Sequence, residues 1–114
     1  MTTPLRDRHC QPLPKGTHAV SAEAAVELLA QLDPAWRIAE DGKSLRRAFG
    51  FKNFYRTMAF LNAVAWIANA EDHHPDFEAG YNYCRLAFST HTVGGLSEND
   101  FICAAKIDAL EVQG

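Results

Sequence analysis

The stretch from Asn53 to Thr92, NFYRTMAFLNAVAWIANAEDHHPDFEAGYNYCRLAFSTHT, changes its hydrophobic period near the middle, and that change decides the fold. Up to Glu71, the residues Met58, Leu61, Val64, Ala65 and Ala68 recur at helical spacing, with Asn53 placed to cap the first turn. Phe60 and Ile67 widen this stripe beyond what one sheet face needs, which leaves part of it available to another subunit. Pro75 has no N–H to continue the helix and disfavours helical backbone just before it, so Asp72, His73 and His74 fall in or just past the last turn. From Phe77 to Thr92 the period becomes two. Leu86, Phe88 and Thr90 alternate with Arg85, Ala87, Ser89 and His91, and a break at Tyr81-Asn82 divides the run into two strands.

Upstream, Ser21 caps a helix carrying Ala24, Ala25, Leu28, Leu29 and Leu32, which Asp33-Pro34 ends. Trp36 and Ile38 begin a strand, Asp41-Gly42 turns the chain, and Leu45, Phe49 and Phe51 share one face of a second strand. Downstream, Gly94-Gly95 makes a turn, Ser97 caps, and a last helix runs from about Glu98 to Leu110. The predicted order is helix, two strands, helix, two strands, helix. It describes an α+β fold, a four-stranded antiparallel sheet with helices packed on one face. Residues 1–20, with Pro4, Pro12, Pro14 and Gly16, read as an extended leader with a frayed end, and residues 21–114 as a single domain.

At 114 residues the chain suits one core, and 47% hydrophobic with 22% charged residues excludes wholesale disorder. A net charge of −3 argues against a phosphate-neutralising nucleic-acid binder, and the run Arg46, Arg47, Lys52, Arg56 reads as a solvated face. The longest apolar stretch, Met58 to Ala70, contains Asn62 and Asn69 and is too short to span a bilayer. The first 20 residues lack the apolar core of a signal peptide. Cys10, Cys84 and Cys103 form an odd set without a C-x-x-C pair, which indicates neither a disulfide framework nor a zinc ribbon. The expected setting is a reducing, cytoplasmic one.

Histidine carries the chemical signal. His9 and His18 belong to the leader and read as solvated, whereas His73 and His74 end a helix and His91 ends a strand that can lie beside it. Glu71, Asp72, Asp76, Glu78 and, further on, Asp100 surround them in sequence. Imidazole titrates near neutrality, so such a cluster suits proton transfer at both ends of one reaction. The plainer alternative is that helix-terminal histidines only complement the helix dipole. A metal site is poorly supported, because adjacent histidines point in different directions on a helix.

The run Glu71-Asp72-His73-His74-Pro75, then Tyr81-Asn82, Ser89-Thr90-His91 and Gly95-Leu96-Ser97 with Asp100, resembles the pterin-4a-carbinolamine dehydratases. The Trp36 strand, the Glu40-Asp41-Gly42 turn and the segment from Phe49 to Phe54 are also similar, so the resemblance covers roughly residues 21 to 110. It implies a hydro-lyase that converts 4a-hydroxytetrahydropterin (4a-hydroxytetrahydrobiopterin) to quinonoid dihydropterin and water, recycling the cofactor of aromatic amino-acid hydroxylases. It implies histidine acid/base catalysis with no cofactor and no metal, the pterin being the substrate. His73 and His91 would be the acid/base pair and His74 would bind the pterin. Asp72, Pro75, Ser89, Thr90 and Asp100 would complete the pocket, and Phe77 and Trp36 would supply apolar walls. A homo-oligomer (dimer or tetramer) is implied, with no direct nucleic-acid or membrane partner. Vertebrate relatives also serve as dimerisation cofactors of a transcription factor, so a non-catalytic regulatory role is an alternative. Another is a different pterin, such as a molybdopterin-pathway compound. One departure stands out. The family usually has a charged residue four positions before the first histidine, where this chain has Asn69, one helical turn from His73, so His73 is expected to be less basic than in relatives with Glu there.

Overall fold

A computed structural model describes residues 3–110. Three helices, α1 (Ala22–Leu29), α2 (Phe54–Glu71) and α3 (Glu98–Asp108), accompany four strands, β1 (Arg37–Ile38), β2 (Leu45–Gly50), β3 (Asp76–Ala79) and β4 (Tyr83–Phe88). The sheet order is β1-β2-β4-β3 with every pair antiparallel, so two hairpins join through the central β2–β4 pairing. The expected α+β architecture is the observed one. Leu45 lies opposite Phe88 and Phe49 opposite Cys84, which aligns the buried positions of both central strands on one face.

The helices begin where short polar side chains can accept an orphan N–H. The side chains of Ser21 and Asn53 accept from Ala24 and Arg56 at the starts of α1 and α2. The β1–β2 connection uses Gly42 at φ +74°, a left-handed position that costs glycine nothing. α2 buries Thr57, Phe60, Leu61, Val64 and Ala68. Phe60 therefore belongs to the core, its ring 4.4 Å from Phe49 and 5.1 Å from Phe51, rather than to a spare stripe. Ala65, placed on the buried stripe by spacing, is exposed, and the exposed aromatics of α2 are Phe54, Tyr55 and Trp66.

Two expectations need correction. The N-terminal segment is not frayed over its described length. A 3-10 turn at Leu5–Asp7 places Leu5 in the core at 3% exposure, and the segment beyond it is tied to α2 and α3. Wrapped by this segment, α3 is buried at every position from Asn99 to Ala105. Arg47 is not part of a solvated basic face either. It shares the inner sheet face with Leu45 and Phe49, its guanidinium 4.3 Å from the Phe49 ring and 2.8 Å from Asp108.

Candidate active site

The geometry of the site starts at the C-terminus of α2. Asp72 adopts φ +52°, the one described non-glycine residue in the left-handed region. Bonds from the His73 N–H to the Ala68 carbonyl (3.1 Å) and from the Asp72 N–H to the Asn69 carbonyl (3.3 Å) close the helix as a Schellman motif. The reversal at Asp72 swings the next side chain inward. The His73 ring stacks on Phe88, centroids 6.0 Å apart at 12°, and its Nε2 lies 2.6 Å from Asp100 Oδ1. Asn69 consequently does not sit one helical turn below His73, because the helix has ended before that residue. Asp100 fills the orienting role that a continuing helix would have given to position 69.

Asp100 is fully buried, at 0% exposure, in the first turn of α3. Its Oδ2 accepts from the Ser97 backbone N–H (2.9 Å), as in a capping box, and from the Thr90 hydroxyl (2.8 Å). The Thr90 and Ser97 hydroxyls are 2.7 Å apart. One carboxylate thus joins three pieces of chain: the α2–β3 turn with His73, the β4–α3 loop with Thr90, and the start of α3. Charge-assisted bonds of this kind are short and strong, and an acceptor-only carboxylate fixes the Nε2–H tautomer of its partner. His91, next to Thr90, is exposed and opens a 3-10 turn, His91–Val93, rather than ending a strand. Gly94 at φ +66° closes that turn, and Thr90 and Gly95 bridge its base.

His74 points away from this network. With Pro75 and Phe77 it lines a cavity of about 300 Å³ whose other wall is Leu61, Val64, Ala68 and Asn69 of α2. The pocket is mostly apolar, with one imidazole, His74, and two carboxamides, Asn62 and Asn69. Asp72 and Ser89 are exposed beside these groups in sequence. Two of the expected pocket residues are buried in this structure. Asp100 is sealed behind His73, Thr90 and Ser97. Trp36 is 3% exposed, donates Nε1–H to Asp108 (2.7 Å), and reaches His73 only through the Phe88 ring between them. Among the described residues, no three His, Cys, Asp or Glu side chains are grouped to hold a metal ion.

Glu71 is a residue whose position the spacing did not reveal. Its carboxylate accepts from the Cys10 backbone N–H (2.7 Å) and lies 2.9 Å from His9 Nδ1 and 3.8 Å from Lys106 Nζ. Burial pushes its carboxyl up, but the Cys10 N–H, the His9 ring and the Lys106 ammonium outweigh burial and hold it below the usual value. His9 is exposed as expected, and its ring also meets the Glu71 carboxylate.

The chain is similar over most of its length to known proteins. A family described as Pterin 4 alpha carbinolamine dehydratase matches residues 18–110. A Legionella pneumophila (strain Corby) protein provisionally named pterin-4-alpha-carbinolamine dehydratase is 55% identical over 112 residues, 98% of this chain and 99% of its own. A Nitrosomonas eutropha protein with the same provisional name is 54% identical over 106 residues, covering 93% and 92%. A Brucella melitensis crystal structure titled transcriptional coactivator/pterin dehydratase superposes with TM-score 0.76 at 29% identity, covering 81% of this chain and 97% of that one. A pterin dehydratase-like protein identified as a RuBisCO assembly factor in the alpha-carboxysome superposes with TM-score 0.57 at 28% identity, covering 66% and 87%. No helix among the described residues is long and apolar enough to cross a membrane. With the family matched over residues 18–110 and the relatives over more than nine-tenths of both chains, this chain belongs to the pterin 4 alpha carbinolamine dehydratase family.

Proposed function

We propose that the protein dehydrates a 4a-hydroxytetrahydropterin to the quinonoid dihydropterin and water, and so regenerates the pterin of an aromatic amino-acid hydroxylase. The observation that carries the reading is the 2.6 Å bond between His73 Nε2 and the buried Asp100 carboxylate. A histidine that served only the helix dipole would need no buried carboxylate behind it. In the reaction the C4a–O bond breaks as the hydroxyl takes a proton and leaves as water, and a ring nitrogen of the pterin gives up its proton. His73 keeps Nε2 on Asp100 and turns Nδ1 to the substrate. His91, exposed on a loop tied to the same carboxylate through Thr90, is the second proton carrier and exchanges with bulk water. His74, the next residue along the turn, binds the pterin beside Pro75. Each proton transfer contributes about 10²–10⁴-fold.

The test is stopped-flow ultraviolet absorbance on freshly generated 4a-hydroxytetrahydropterin. The folded protein should accelerate dehydration, His73→Ala and His91→Ala should lose most of the gain in kcat, and His74→Ala should act chiefly on KM. Folded wild type without acceleration would overturn the reading. Tight binding of another pterin by that protein would then assign it a different substrate. The exposed Tyr55 (82%) and Trp66 (75%) on α2 favour self-association through this helix. Sedimentation of Tyr55→Glu/Trp66→Glu should show a smaller species than wild type.

A further inference from the structure

Cys10 and Cys103 lie 93 positions apart in the chain, yet their Sγ atoms are 3.7 Å apart. Both are free thiols. The approach is built rather than incidental, because the backbone on both sides of Cys10 is pinned. The Cys10 N–H donates to Glu71 Oε1 (2.7 Å), the Gln11 N–H donates to Asn99 Oδ1 (3.0 Å), and Asn99 Nδ2 returns a bond to the Gln11 carbonyl (2.9 Å). Cys103 is held equally firmly on the buried side of α3, its Sγ 3.9 Å from the His73 carbonyl oxygen.

We propose that Cys10 and Cys103 are an oxidation site, forming a reversible intramolecular disulfide that locks the N-terminal segment to α3 behind the His73 turn. The sulfurs need to close from 3.7 Å to about 2.05 Å, a movement within reach of side-chain torsions in a segment with no regular secondary structure. The oxidant is a low-molecular-weight disulfide, RSSR. Cys10, the partly exposed member, attacks first as thiolate. A Cys10–SR bond forms as the RS–SR bond breaks, and the leaving thiolate takes up a proton. Cys103 then gives up its proton and attacks the Cys10 sulfur, expelling the second RSH. In total two thiols lose two protons and two electrons, and RSSR gains them as 2 RSH. The hydrogen bond to Cys10, burial, and the charges of Cys10, Glu71 and Asp100 hold the Cys103 thiol well above its ordinary range. Conversion of Cys10 to the mixed disulfide removes the first of these, so the order of the two steps is set by the site. The resolving step is intramolecular between groups already in contact, which favours it over a second small thiol.

The experiment is to treat the full-length protein with oxidised glutathione, quench with an alkylating agent in denaturant so that buried thiols react, and measure intact mass and a non-reducing peptide map. The expected result is loss of two hydrogen masses, one alkylatable thiol (Cys84), and a single product joining the Cys10 and Cys103 peptides. Dithiothreitol should reverse it. The thermal midpoint of the oxidised form should rise by roughly 5 °C or more, since the bond closes a long loop. Cys84→Ala should keep the cross-link, and Cys10→Ser and Cys103→Ala should each abolish it. Three alkylatable thiols after treatment, a stable glutathione adduct on Cys10 with Cys103 free, or a cross-link between two chains only would each overturn the proposal.

Discussion

Replacing Asp100 by Asn tests the site more sharply than removing it. Asp100→Ala would strip acceptors from His73 Nε2, the Thr90 hydroxyl and the Ser97 N–H in a place with no access to water. At about 1–3 kcal/mol per buried group left unpaired, the cost for the three is about 3–9 kcal/mol, comparable to the whole stability of a small domain. Asp100→Asn keeps the shape. The Ser97 N–H can only donate, so the amide oxygen must occupy the Oδ2 position, and the amide nitrogen must then face His73. That nitrogen donates, which forces Nε2 to accept and moves the imidazole proton to Nδ1. The nitrogen turned to the substrate then carries a proton where it previously held a lone pair. The expected outcome is a fall in kcat of about 10²–10⁴-fold, with stability down by only about 1–3 kcal/mol as three charge-assisted bonds become neutral ones. Stopped-flow dehydration gives the rate, urea unfolding the stability, and nitrogen-15 spectra of the imidazole the tautomer. A folded Asp100→Asn variant with the Nδ1–H tautomer and a rate within about twofold of wild type would refute the assignment of His73.

Other expectations follow from single contacts. Because the Glu71 carboxyl is depressed in the folded state, its contribution is full above the ordinary value of 4.5 and is lost as pH falls below that value through the lowered one. The stability gap between wild type and Glu71→Gln should therefore narrow as pH drops below 4.5, and a pH-independent gap in urea titrations would contradict the reading. Asp72→Val forces a β-branched residue into the left-handed region and should cost about 1–2 kcal/mol in the same assay. Leu5→Ala opens a cavity under the N-terminal segment and should cost about 2–4 kcal/mol, measured as a lower unfolding midpoint.

What could be read from the sequence follows the physics of repetition. α2 is legible because its apolar residues recur over successive turns between Asn53 and Pro75, and β4 because Leu86 and Phe88 alternate with Arg85 and Ala87. The histidines and Asp100 stand out in the sequence as residue types, while the bonds that join them do not. The inward turn of His73 depends on a left-handed Asp72, and without a glycine nothing local announces that conformation. Asn69 shares the cavity lined by His74 and does not lie beneath His73, since only a helix extended past Asp72 would bring it there. Arg47 sits at an inner sheet position, and Asp108, brought from the far end of the chain, together with Asp33 makes that tolerable. The N-terminal segment is anchored by Leu5, His9, Cys10 and Gln11 through single long-range contacts, which leave no periodic trace.

The same carboxylate starts α3 and holds His73, so a loss of activity at Asp100 must be separated from a loss of the helix. Ser97→Ala makes the separation. Its hydroxyl meets Thr90 and faces the Asp100 backbone N–H in the capping box, and both contacts go with it. The Ser97 N–H still reaches the Asp100 carboxylate, and the His73–Asp100 bond is untouched. The variant should lose about 1–2 kcal/mol of stability, the usual cost of removing an N-cap hydroxyl, and retain the wild-type rate. If the rate fell in step with the stability, the Thr90–Ser97 pair would be supporting the geometry of the catalytic turn. The role assigned to Asp100 alone would then belong to the whole network.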